Sequence, residues 1–251
     1  MKNHFYISYF GNKRDEVENI YDKIDLEGID IIIEPYCGTC AISYYISTKE
    51  PNKYKYIFND NNIYLYEMFK IIKDPELLIK FEDEIKDTIV DMNKEKYNNI
   101  VKRNDVIGWF IKSKYYNIRP GLYPFHNKWV FKSIKDYPIF NFFNNENIEF
   151  KSIDAIKIYN KYKDDSKSLI FLDPPYMKTC NDFYEKQDMN IYEYLYENNI
   201  DHEKAKIYLV LENIWMCKLL FNRNKTIDSY DKIYQTTKKK TNHIIIYNNK
   251  G

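Results

Sequence analysis

Apolar residues recur along the chain with two different periods. Short runs rich in Ile, Val, Phe and Tyr occupy residues 30–34, 55–59, 148–152, 168–172, 206–211 and 243–247. They are too short for helices and predict strands. Between them the spacing is helical. Residues 13–24 (KRDEVENIYDKI) place Val17, Ile20 and Ile24 on one face, and residues 65–85 carry two apolar runs divided at Asp74-Pro75, a helix stop and restart. Strands alternating with helices predict a largely parallel sheet covered on both faces. The last segment, DSYDKIYQTTKKKTNHIIIYN, reads as a hairpin.

From about Asn61 to Asn145 helical spacing dominates, and SKYYNIRPGLYPFHNKWVFKSIKDYP then interleaves aromatics with Lys and Arg. This predicts a mainly helical insertion, residues 61–145, ending in a basic aromatic loop, between two parts of a sheet domain, residues 1–60 and 146–251.

Composition narrows the class. The chain has 251 residues, 44% of them hydrophobic, enough for a core. No segment approaches the roughly 20 uninterrupted apolar residues of a membrane span, and MKNHFYISYF lacks a secretory h-region. The expectation is a soluble, cytoplasmic protein with no membrane partner, its four cysteines reduced. A net charge of +1 gives no global basic field, so a nucleic-acid partner requires a local cluster of cations. The histidines and cysteines show no metal-ligand spacing, and no metal is predicted. Trp109 and Trp129 are read as packing residues.

Two motifs carry chemistry. In EPYCGTCA, Cys37 and Cys40 flank a glycine after a strand; this is the setting of a redox dithiol, or of a loop admitting close approach by a cofactor. In SLIFLDPPYMK an apolar strand ends in Asp173-Pro174-Pro175-Tyr176. Two prolines fix the backbone and remove two N–H donors, which leaves carbonyl acceptors and a carboxylate at the strand end where open α/β sheets bind ligands. Such acceptors suit alkylation of an exocyclic amine. The nitrogen lone pair is delocalised into the ring, and acceptors for both N–H bonds draw the nitrogen toward tetrahedral geometry and free the pair. Asp and Pro-Pro also occur in purely structural turns.

The chain resembles the Dam-like, or class α, N6-adenine DNA methyltransferases over nearly its whole length. YFGNK, EPYCGTCA, YIFNDNN, FKSIDAI, DPPY and KKKTNHIIIYN follow in the order that family uses, and the insertion lies where its target-recognition domain is expected. The resemblance implies a Rossmann-like S-adenosylmethionine-dependent methyltransferase sheet flanked by helices. It also implies methyl transfer to adenine N6 in double-stranded DNA after base flipping. Asp173, Pro174, Pro175 and Tyr176 would be catalytic. Tyr9, Lys13, Pro35, Tyr36, Cys37, Gly38, Asp60, Asp154 and Asp173 would bind S-adenosyl-L-methionine, Lys13 near its carboxylate and Asp60 on its ribose hydroxyls. Asp154 has an alternative reading as a helix N-cap. Tyr176, with Phe183 or Tyr184, would sandwich the flipped base.

For DNA, the candidates are Arg103, Arg119, Lys128, Lys132 and Lys135, with Lys238, Lys239 and Lys240 in the hairpin turn. Arg119, beside Pro120-Gly121, is the one expected near bases. The chain departs from the family at Asn12 and Cys40, where glycines are usual, and at His243, where an acid is common. Two alternatives accompany the methyltransferase reading: a Dam-like fold that binds DNA without turnover, and a thiol oxidoreductase using Cys37 and Cys40. A cognate restriction endonuclease is a candidate partner.

Overall fold

The computed structural model describes residues 4–7, 13–115, 129–176, 190–222, 226–233 and 240–248. It divides into two compact units, one of residues 13–61 and 147–251, the other of residues 1–12 and 62–146.

The first unit is built on seven strands: β1 (Ile31–Glu34), β2 (Lys55–Asn59), β3 (Ile148–Lys151), β4 (Ser168–Leu172), β5 (Lys206–Glu212), β6 (Thr226–Ile233) and β7 (Lys240–Tyr247). Their order across the sheet is β3-β2-β1-β4-β5-β7-β6. The first five pair in parallel, and β7 runs antiparallel to both β5 and β6. This is the Rossmann-like α/β arrangement expected, closed at one edge by the terminal hairpin. Strand β7 begins three residues before the apolar run that predicts it, because Lys240, Thr241 and Asn242 still pair with β6.

Both faces are buried, which explains strands without polar alternation such as the fully buried β4. On one face, Ile33, Ile57, Ile170, Leu209 and Ile246 pack with side chains of α8 (Ala155–Tyr162), α9 (Asn190–Asn198) and α10 (Trp215–Leu220). On the other lie Ile32, Phe58, Phe171 and Val210. There the Tyr208 hydroxyl accepts from Asp25 N, just past α1 (Val17–Tyr21), and Glu34 holds Ser43 of α2 (Ala41–Lys49). Helix α1 covers only part of residues 13–24. Glu16 at its N-cap makes no capping bond, its carboxylate being used in the interior, and Val17 and Ile20 are the buried pair.

The second unit holds α3 (Ile63–Lys73), α4 (Pro75–Ile89), α5 (Lys94–Ile100), α6 (Val106–Tyr115) and α7 (Ile139–Phe143). Asp74 ends α3 and caps α4, accepting from Glu76 N and Leu77 N at 2.9 and 3.1 Å, so the stop and restart stand where the sequence places them. Phe69 packs on Phe143 and Phe81 on Phe110. Gly108 lies so close to the end of α5 that a Cβ would stand 2.7 Å from Ile100 O. The N-terminal residues group here rather than with the sheet as expected from sequence. Phe5, Tyr6 and Ile7 are buried, and the Tyr6 ring stands edge-on to Phe143. Trp129 packs on Tyr115 and Tyr97. No helix among the described residues is long and apolar enough to cross a membrane.

At the carboxyl edge of the sheet, Asn59 is completely buried and its amide is saturated. Nδ2 donates to Pro35 O and Ile153 O (3.0 and 2.9 Å), and Oδ1 accepts from Ile153 N (2.9 Å). Asn59→Asp turns a two-proton donor into an oxygen facing two carbonyls. It is expected to lower the unfolding free energy by roughly 2–4 kcal/mol. Urea denaturation checks this; an unchanged midpoint would show that the amide is dispensable.

Candidate active site

The loop after β1 is shaped by bonds to the end of β2. Cys37 N donates to Asn59 O (2.9 Å), and Gly38 N donates to Asp60 Oδ2 (3.0 Å). Gly38 (φ 47°) and Cys40 (φ 56°) both take left-handed backbone, and Cys40 N closes the turn on Cys37 O (2.7 Å) before α2 begins. A non-glycine residue at such a φ is uncommon. The site where the family uses glycine is therefore one where the backbone itself favours it, and Cys40 accepts that conformation with its thiol fully buried.

The two thiols are poorly suited to exchange, which runs through an accessible thiolate. Burial pushes Cys37 up to about 11 and Cys40 well above the ordinary thiol range. Both are free and buried.

Beyond β4, Asp173 is gripped from two sides. Oδ2 is ion-paired with Lys13 Nζ, and Oδ1 accepts from the Tyr176 hydroxyl at 3.2 Å. Lys13 is 4% exposed, and its ammonium also stands 5.2 Å from the Tyr176 ring centroid. The structure thus brings Lys13, Asp173 and Tyr176 together, with Lys13 serving the Asp173 carboxylate. The Tyr192 hydroxyl of α9 donates to Pro175 O (2.8 Å), fixing the second proline. The Tyr176 ring is buried, with the Lys13 ammonium over it and the His243 ring in a T-shaped contact with it.

A buried polar chain continues past Tyr176. His243 Nδ1 lies 3.5 Å from the Tyr176 hydroxyl, 3.3 Å from that of Tyr230 and 3.1 Å from Glu16 Oε2. Tyr230 donates to the same Glu16 oxygen (2.7 Å), and Lys232 Nζ pairs with Oε1 at 2.5 Å. Burial works to raise the Glu16 carboxyl, but the His243 bond and the charges of Lys13 and Lys232 hold it down to about 2.

Glu34, at the end of β1, is also buried and accepts from Ser43 N (3.0 Å) and the Ser43 hydroxyl. Burial raises it to about 7 against those bonds. Asp154 caps α8, accepting from Lys157 N at 3.2 Å.

Among the expected DNA contacts, Arg103 is engaged by Asp105 (2.6 Å) and Glu84 (3.1 Å). Lys132 stands over the Tyr137 ring (4.5 Å) with Lys114, a residue the sequence reading passed over (4.3 Å). Lys135 is exposed in the turn Ile134–Asp136, which Glu82 anchors by accepting from Ile134 N and the Ser133 hydroxyl. Lys240 opens β7. Tyr9, Asn12, Arg119, Lys128, Phe183, Tyr184, Lys238 and Lys239 lie outside the described residues.

Sequence reasoning also missed Glu16, Glu34, Asn59, Tyr192, Tyr230 and Lys232. The one available signal is that Glu34 and Asn59 are polar residues closing otherwise apolar strands.

Residues 9–113 match the family model of D12 class N6 adenine-specific DNA methyltransferases. Over those residues the chain is similar to that family. The match takes in Lys13, the Pro35–Gly38 loop and Asp60, and ends before Asp173. Among curated proteins none matches the chain. The methyltransferase is thus an adenine-specific DNA enzyme whose Asp-Pro-Pro-Tyr turn is held by residues distant in sequence.

Two tests follow from the buried groups of the methyltransferase. An unfolded Glu34 releases its proton near 4.5 and the folded one near 7, so the folded state loses stability as pH rises through that window. Relative to Glu34→Gln, the loss by pH 8 is on the order of 3 kcal/mol. Unfolding midpoints of the two proteins across pH 4–8 check it; parallel curves would refute it. Cys40→Gly relieves a left-handed residue, worth roughly 1 kcal/mol, and removes a buried thiol of similar worth. Its unfolding free energy is expected to stay within about 1 kcal/mol of the parent, and a much larger fall would show that Cys40 acts chiefly as core.

Proposed function

We propose that the protein transfers a methyl group from S-adenosylmethionine to the N6 amine of an adenine rotated out of duplex DNA. The observation that carries this is the Asp173 carboxylate at the carboxyl end of β4, held by Lys13 and Tyr176 in a turn whose prolines donate no N–H. Asp173 and the Pro174 carbonyl accept the two N–H bonds of the amine and free its lone pair for attack. A carboxylate oxygen has room for more than one donor, so the Lys13 and Tyr176 bonds leave Asp173 able to take the amine. The base must leave the stack because its N6 is out of reach inside the duplex.

The residues fit the methyl donor. Gly38, without a Cβ, offers close backbone approach beside Asp60, whose carboxylate suits paired hydroxyls. Pro35, Tyr36, Cys37, Gly38 and Asp60, with Tyr9 and Asp154, would hold it. When bound, it supplies an electrophilic methyl on a sulfonium, and the chain supplies alignment. Lys13 is assigned to Asp173 instead of to the donor's carboxylate. Tyr176, with Phe183 or Tyr184, is proposed to stack on the base.

Residues 61–145 are proposed as the target-recognition region. Lys114, Lys132 and Lys135, with Arg119 and Lys128, would contact DNA there, and Lys238–Lys240 would add contacts from the hairpin. Arg103 enters as a weaker candidate because two carboxylates already neutralise it. A cytoplasmic location and a cognate restriction endonuclease complete the proposal.

The test is tritiated methyl transfer to unmethylated A/T-rich duplex, with the product nucleoside identified as N6-methyladenine. Asp173→Ala is expected to abolish transfer. It strands the buried Lys13 charge, so Lys13→Met combined with Asp173→Ala, which removes both partners, is the folding control; it should regain stability without activity. Donor binding without transfer to any DNA would favour a binding protein.

A further inference from the structure

The chain of side chains behind Tyr176 has a direction. Glu16 is ionised, and Oε2 lies 3.1 Å from His243 Nδ1, so Nδ1 carries the proton. Nε2 is buried and has no hydrogen-bond partner among the described residues, so a proton placed there would go unsatisfied. The one Nδ1 proton points chiefly at Glu16 and is shared, as the longer arm of a three-centre bond at 3.5 Å, with the Tyr176 oxygen, whose own proton goes to Asp173 Oδ1.

Packing points the same way. The imidazole is fully buried between two tyrosines, meeting the Tyr176 ring edge-on at 5.2 Å and 80° and the Tyr230 ring at 5.5 Å and 72°. His243 lies in β7 in register with Glu212 of β5 and Tyr230 of β6, so it ties the terminal hairpin to the turn after β4.

We infer that His243, tethered by Glu16, is a positioning residue for methyl transfer: it fixes the Tyr176 hydroxyl, which in turn orients the Asp173 carboxylate toward the reacting amine. The inference rests on the function proposed above and adds to it a role for residues that touch neither base nor donor. Lys232 and Tyr230 belong to the same arrangement by holding Glu16 in place.

The experiment compares His243→Leu, His243→Asn, Tyr176→Phe and the double variant His243→Leu with Tyr176→Phe, each checked for parental folding by circular dichroism. Donor binding is measured by calorimetry, separately from kcat on duplex DNA. His243→Leu should lower kcat by about tenfold or more, as misplacement of a reacting group does, while donor Kd stays within about twofold. Asparagine, whose side-chain N–H takes the place of Nδ1, should recover most of that loss. The double variant should be no slower than the slower single, because both changes break one link. Unchanged kcat in His243→Leu, failure of asparagine to restore it, or losses that multiply would each overturn the inference.

If His243→Leu does not fold, Glu16→Gln replaces it in the same cycle, with the same expectations. Imidazole nitrogen NMR gives a readout independent of turnover: Nδ1 protonated and Nε2 bare is expected, and the reverse tautomer would refute the arrangement. A parent enzyme that methylates no DNA would instead overturn the proposed function, whatever the tautomer.

Discussion

The carboxyl edge of the sheet depends on one buried amide. Three consecutive parallel strands, β3, β2 and β1, end side by side, and their loops must leave the edge without stranding buried backbone groups. Asn59 resolves this at the middle strand. Its amide satisfies Pro35 O on one side and both polar groups of Ile153 on the other, while its own carbonyl accepts from Cys37 N. Every candidate donor contact in this region, from Pro35 to Gly38, Asp60 and Asp154, hangs within a few residues of those bonds. Aspartate has only acceptors and leucine has no polar atoms, so the constraint selects an amide.

A second constraint is electrostatic. Asp173 and Lys13 form a largely buried pair, and breaking such a pair by removing one member costs far more than its net worth. Lys13 thereby becomes a structural requirement of the turn that carries Asp173, although it lies 160 residues away in sequence. The negative charge of Glu16 sits close enough to Lys13 to feel its field, and Glu34 feels both Lys13 and Asp173. The acids of this interior therefore divide by partner. Glu16, with His243 and Lys232 against it, stays ionised, whereas burial raises Glu34, hydrogen-bonded to Ser43, to about 7.

The departures from the family pattern acquire physical readings. Cys40 stands where glycine is usual because the turn into α2 is left-handed, and the chain tolerates the strain by burying the thiol. His243 stands where an acid is common, and here a carboxylate reaches the same spot from Glu16.

Much of the fold was legible in the sequence, since apolar strands of four to eight residues, the Asp74-Pro75 break and the terminal hairpin are all set by local chemistry. Strand ends and helix lengths shifted by a few residues, because β-ladder pairing and interior use of Glu16 extend or truncate what periodicity suggests. The two motifs on which the proposed chemistry rests were also legible, because Asp173-Pro-Pro-Tyr and the glycine turn are local in the sequence. What only the tertiary structure decided is which side chains hold them. Lys13 on Asp173, Tyr192 on Pro175, His243 on Tyr176 and Asn59 across three loops join residues far apart in sequence. Sequence spacing carries no record of such partners, because folding chooses them by bringing strand ends to one edge and requiring every buried polar atom to be answered.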